Sequence, residues 1–124
     1  MHANVFDFSQ MLAKSDKPYL EFLRVPSLSV GIYVLEAGAT DNQTPHHEDE
    51  VYYVASGRAK MRTEVDGVEK IFDVDPGTII FIPARMNHYF CEIIQRLDVL
   101  VFFAAAAGSN APAARLSSTP TVGG

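Results

Sequence analysis

Residues 58–65 alternate with a period of two and run directly into Asp66-Gly67. Arg58, Lys60, Arg62 and Glu64 take one parity, while Ala59, Met61, Thr63 and Val65 take the other. That alternation fits a strand with one wet and one dry face. Asp-Gly is a strong signal for a two-residue hairpin turn, and Val68–Val74 supplies the returning strand. The same grammar runs through most of the chain. Tyr19–Val25 and Leu28–Leu35 flank Pro26-Ser27, and a polar loop spans Gly38 to Pro45. Glu50–Ala55 ends at Ser56-Gly57. Asp75-Pro76-Gly77 precedes the short apolar run Thr78–Ile82, and His88–Ile94 and Leu97–Phe103 close the series. About eight short strands at near-regular spacing predict an all-β sandwich or small barrel. Val5–Lys14 reads as a short helix or irregular arm, broken by Ser15-Asp16-Lys17-Pro18.

A length of 124 residues makes one domain the expectation and suffices for a core without disulfide staples. Past Phe103 the composition turns to Ala, Ser, Thr, Pro and Gly. Residues 1–107 therefore read as the domain, and residues 108–124 as a flexible or loosely docked tail. The longest apolar runs reach about half of a membrane span, and Met1-His2-Ala3-Asn4 does not open a signal peptide. His2, in that terminus, is read as inert. A net charge of −5, with no basic stripe, makes nucleic acid and anionic membrane surfaces poor partners. The one cysteine, Cys91, forbids an intrachain disulfide and fits a cytoplasmic setting. Cys91 reads better as a small buried side chain than as a reactive thiol.

Chemistry concentrates in two blocks, Gly38…His46…Glu50…Gly57 and Pro76-Gly77…Pro83…His88. His46 and Glu50 share a strand parity with Thr44, and His47 and Asp49 take the opposite one. His88, Phe90 and Glu92 share a parity in the second block. On neighbouring barrel strands, His46, Glu50 and His88 converge on one interior point. Two imidazoles and one carboxylate form a donor set for one divalent transition metal (Fe, Zn or Mn), with coordination positions left open. Polar groups inside a barrel can also satisfy one another without a metal.

Both blocks resemble the cupin superfamily. Its first motif is a glycine, five residues, His-x-His, three or four residues, a glutamate, six residues and a glycine. Gly38, Thr44, His46, Glu50 and Gly57 occupy those places without a gap, with Thr44 where the first histidine would stand. The second motif is a glycine, five residues, Pro-x-Gly, two residues, a histidine, three residues and an asparagine. Gly77, Pro83 and His88 match it, while Arg85 replaces the glycine and Glu92 the asparagine. The resemblance covers about residues 28–103. It implies a double-stranded β-helix, or jelly-roll, barrel with a short N-terminal helical arm, and a metal on His46, Glu50 and His88. Thr44 could hydrogen-bond a water on that metal, and His47 or Gln43 could replace it as a ligand if the loop bulges.

For function, the resemblance implies dioxygenases, isomerases, epimerases, decarboxylases and lyases that act on small polar molecules. A non-haem iron dioxygenase fits the ligand types first. An isomerase or lyase using zinc or manganese, and a non-catalytic ligand-binding module, are the alternatives. Three further residues are candidate catalytic groups, each with a plainer reading beside it. Tyr52 lines the pocket or packs in the core with its hydroxyl at the rim. Glu92 is a general base or fourth ligand, or a solvated carboxylate. Arg85 clamps a substrate carboxylate, or is an exposed loop arginine. Finally, Val51, Tyr53, Ala55, Ile79 and Phe81 point away from the expected interior. An outer apolar face of that kind predicts a homodimer, unless Tyr19–Val25 folds across it.

Overall fold

The computed structural model describes residues 1–105. The 108–124 tail lies outside the described residues. Among the described residues one helix, α1 (Val5–Ala13), is capped by Asn4, whose side chain accepts from the Phe6 N–H at 2.8 Å. Six strands follow: β1 (Tyr19–Val25), β2 (Leu28–Leu35), β3 (Glu50–Val65), β4 (Val68–Val74), β5 (Ile79–Ile82) and β6 (Asn87–Ala104). All pairings are antiparallel, in the order β1-β2-β6-β3-β4, with β5 on the first half of β3. The expected all-β barrel with a short helical arm is what the chain forms. Among the described residues no helix is long and apolar enough to cross a membrane.

Two boundaries differ from the sequence expectation. Residues 50–55 and 58–65 are halves of one strand, β3, and residues 88–94 and 97–103 are halves of β6. The signals at Ser56-Gly57 and Gln95-Arg96 bend the ladder without ending it. Gly57 has φ +104, and a Cβ there would collide with the Arg96 carbonyl. The β3–β6 register slips between Val54 and Lys60. The irregularity exchanges the faces of β3. Glu50, Tyr52 and Val54 are buried before it, and Ala59, Met61 and Thr63 after it.

A similar exchange occurs in β6. His88 and Phe90 point inward, Glu92 takes a left-handed φ of +47, and Ile93, Leu97, Val99 and Val101 are buried beyond it. These side chains, with Leu35, Val74, Ile80 and Ile82, make the main core. Cys91 is half-buried on the same strand rather than fully enclosed.

The outer face of β1 and β2 is closed by α1. Leu12 packs on Ile32 and Val34, and Phe8 stacks on Phe22 at 4.6 Å. A polar pin holds the helix in register. The Ser9 hydroxyl donates to Asp98 Oδ1, the Ser56 hydroxyl donates to Asp98 Oδ2, and Arg96 donates to the Ser9 carbonyl at 3.0 Å. Because α1 covers β1 and β2, it leaves Tyr53, Ile79 and Phe81 exposed. Residues Tyr19–Val25 pair along β2 and do not cross that patch.

Candidate metal centre

The loop between β2 and β3 carries His46, and three backbone contacts fix it. The Arg85 N–H donates to the His46 carbonyl at 2.7 Å, the Ala104 N–H to the Asp49 carbonyl at 3.0 Å, and the Ala84 N–H to Asp49 Oδ1 at 2.8 Å. Glu50 opens β3 opposite Phe103 of β6 and Ile82 of β5, so its carboxylate enters the barrel at 2% exposure. His88 enters from the start of β6, opposite Thr63. The three residues meet as expected: one ligand atom from each lies within 4.8 Å of the others.

Hydrogen-bond accounting leaves bare bases at that point. His88 Nδ1 is 2.8 Å from the Met86 carbonyl oxygen. A carbonyl only accepts, so Nδ1 carries the imidazole proton and Nε2 presents a lone pair. Nε2 lies 3.6 Å from Glu50 Oε2 and 2.9 Å from the Tyr52 hydroxyl. That hydroxyl donates to Gln43 Oε1 at 2.8 Å, because Gln43 Nε2 is committed to Asp41 Oδ2 at 2.7 Å. The Tyr52 proton is therefore directed at Gln43 and not at His88 Nε2. Both oxygens of Glu50 and Nδ1 of His46 are buried without a hydrogen bond, although His46 Nδ1 and Glu50 Oε2 are only 3.2 Å apart. Burial raises the Glu50 carboxyl above its ordinary pKa, and Tyr52, His88 and His46 offset this only in part. A divalent cation satisfies every one of these groups, so the residues fit a metal. The Met86 carbonyl behind His88 is the kind of outer partner that orients a metal-binding imidazole.

Around this point lies a cavity of about 840 Å3, lined by Tyr19, Tyr33, Gln43, Thr44, His46, Glu50 and Tyr52 among others. The Tyr52 ring is 1% exposed, and burial followed by the Glu50 charge raises its phenol far above the ordinary value. The phenol remains protonated at any physiological pH. Tyr33 behaves likewise, through burial and then its 2.6 Å hydrogen bond to Asp41. The Tyr19 hydroxyl is buried without a partner and its pKa is pushed up to about 12, first by burial and then by Glu21 and Glu50. The Tyr19 ring lies over Gly31, where a Cβ would strike the hydroxyl.

The other candidates fall elsewhere. The left-handed turn at Glu92 reverses its parity relative to His88. Its exposed side chain borders a shallow depression with Arg58, Lys60 and Asp73 and does not line the cavity. Arg85 has φ +69; its backbone N–H secures the His46 loop, and its side chain is exposed and outside the cavity lining. Thr44 lines the cavity, and His47 is exposed outside it. Gln43 is engaged by Asp41 and Tyr52 rather than free to act as a ligand.

Asp41 was not singled out from the sequence. It is 7% exposed and accepts from Tyr33, from Gln43 and from the Phe90 N–H. Nothing in a loop reading Thr-Asp-Asn-Gln-Thr distinguishes that aspartate from a solvated one.

Known proteins share this fold. A family model described as the cupin domain matches residues 31–100. An uncharacterised protein of Streptomyces coelicolor is 44% identical over 91 residues, spanning 73% of this chain and 83% of that protein. The crystal structure of a DMSP lyase from Ruegeria pomeroyi superposes with a TM-score of 0.60 at 20% identity, over 68% of this chain and 41% of that one. Oxalate decarboxylase of Bacillus subtilis, described with Mn(II) centres, superposes with a TM-score of 0.60 at 23% identity, over 68% of this chain. This chain spans only 22% of that enzyme, so the likeness to both structures is one of fold.

Proposed function

The chain belongs to the cupin family, and from that premise we propose that it is a metal-dependent enzyme acting on a small molecule in the barrel cavity. The observation that carries this reading is the convergence of unprotonated or unpartnered donors from His46, Glu50 and His88. A bound divalent ion supplies a Lewis acid that polarises a ligand oxygen. Two imidazoles and one carboxylate suit Fe(II), Zn(II) or Mn(II) and leave positions open. A dioxygenase-type reaction with iron is the first activity to test. A lyase or isomerase-type reaction with zinc or manganese is the second, supported by the lyase and decarboxylase among the similar folds.

The chain's own residues divide the remaining work. His46, Glu50 and His88 hold the ion. The Phe103 ring, 5.0 Å from that of His46, shields one side from water. Tyr52 donates its hydroxyl proton to Gln43 and sets its oxygen 2.9 Å from His88 Nε2, a positioning role beside the ion. Glu92 and Arg85 take no part in this scheme, because neither side chain lines the cavity. A single thiol fits a reducing compartment such as the cytoplasm. The uncovered apolar face at Tyr53, Ile79 and Phe81 supports a homodimer.

The test is reconstitution with Fe(II), Zn(II) and Mn(II) in turn, followed by a screen of small hydroxy and keto acids for oxygen uptake and for oxygen-independent turnover. Metal-dependent turnover of either kind supports an enzyme. A metal-loaded protein that binds these acids but converts none is a binding module.

A further inference from the structure

The cavity is two-ended, and the difference between its ends points to a class of ligand. Strand register places Glu50 opposite Phe103, one step inside the Leu28–Ala104 pair that ends the β2–β6 ladder. From that level outward, the apolar part of the wall is built by Val25, Pro26, Leu28, Phe103 and Ala104, with Arg24 and Ser29 beside it. Inward from it lie the hydroxyls of Tyr19, Tyr33 and Tyr52. A volume of about 840 Å3 far exceeds what a two- or three-carbon acid fills.

Charge narrows the class further. Among the described lining residues, Arg24 is the only lysine or arginine. Its guanidinium is clamped by Glu21, with Nε and Nη2 donating to the two carboxylate oxygens at 2.9 and 2.8 Å. Glu48 and Glu50 also line the cavity. Three carboxylates against one guanidinium give a wall that a divalent ion brings only to neutrality. A dianionic ligand would meet no free cation there.

We infer that the site takes an amphipathic ligand: one oxygen-rich head, neutral or singly charged, at the His46–Glu50–His88 end, and an apolar body laid along the Val25–Leu28 wall. This rests on the metal-site reading, and the experiment separates the two. Zinc content is measured first. The zinc-loaded protein is then titrated calorimetrically with acetohydroxamate, hexanohydroxamate and phosphonoacetohydroxamate. Each added methylene that reaches the wall should tighten binding roughly twofold to fourfold. Hexanohydroxamate should therefore bind at least about tenfold tighter than acetohydroxamate, and phosphonoacetohydroxamate should bind more weakly than hexanohydroxamate. The hexano-to-aceto ratio should fall in Leu28→Ser. It should also fall in Val25→Ser, at a 43% exposed position where the fold tolerates the change. Equal affinity for the two alkyl hydroxamates, or tighter binding of the phosphonate, in a protein that holds zinc overturns this inference and leaves the metal site standing. A protein that holds no zinc overturns both.

Discussion

His88 Nδ1 sits 2.8 Å from the carbonyl oxygen of Met86, two residues earlier on the turn into β6. That contact fixes the imidazole tautomer and leaves Nε2 facing Glu50 Oε2 at 3.6 Å with no proton between them. Two bases held this way repel unless a cation lies between them. The strain is maintained by rigid surroundings: Glu50 by its place at the start of β3, and His88 by the ladder opposite Thr63.

Asp41 anchors the chain of hydrogen bonds that ends at Tyr52. Asp41→Ala leaves the Tyr33 hydroxyl, the Phe90 N–H and the Gln43 carboxamide without their acceptor. We expect a loss of about 2–4 kcal/mol in urea unfolding. With Gln43 released, the Tyr52 proton is free to turn to His88 Nε2, and zinc affinity should fall roughly tenfold or more. A stability within 0.5 kcal/mol of wild type, on the order of an ordinary surface change, contradicts this role.

Glu50 gives a pH signature in the metal-free protein. Burial holds its folded-state pKa above the ordinary 4.5. The folded state therefore binds this proton more tightly than the unfolded state. The stability that follows is fully present below the unfolded pKa and is lost as pH rises through the folded one. In chelator at neutral pH, Glu50→Gln should melt higher than wild type, and the gap should close toward pH 4. With zinc the order should invert, since an amide is a poor ligand. A Glu50→Gln protein that melts lower than wild type in chelator at neutral pH would count against a buried, unpaired carboxylate.

Thr44 stands at the place of the missing first histidine and lines the cavity. Thr44→His should add a fourth donor and tighten zinc binding by roughly tenfold or more in a competition assay. An unchanged affinity would mean that position 44 faces the cavity without reaching the ion.

The outer face formed by Tyr53, Ile79 and Phe81 predicts self-association. Sedimentation at low micromolar concentration should give about twice the 13.6 kDa chain mass, and Phe81→Glu should give the monomer. A folded wild-type monomer at that concentration contradicts the dimer.

Much of the architecture was legible from period-two alternation and from turn residues. The convergence of His46, Glu50 and His88 was legible from motif spacing, although His46 sits in the loop before β3 and not on the strand's pleat. What failed was the extension of parity across irregular positions. Gly57 and Glu92 both take positive φ, and each exchanges the two faces of its strand. Only a continuous pleat would have brought Glu92 beside His88. The same two positions explain why four expected strands are two long bent ones. Asp41, Tyr33 and Tyr19 were illegible for another reason. Their roles depend on which loop and which edge strand fold over the barrel end, and local pattern does not encode that.

The central claim is that His46, Glu50 and His88 hold one divalent ion. Its most direct test is elemental analysis of protein equilibrated with micromolar first-row metals and then freed of excess, for wild type, His46→Ala and His88→Ala. The account predicts close to one equivalent in wild type and a sharp loss in both variants. A folded wild-type protein that retains no divalent metal under those conditions would contradict it.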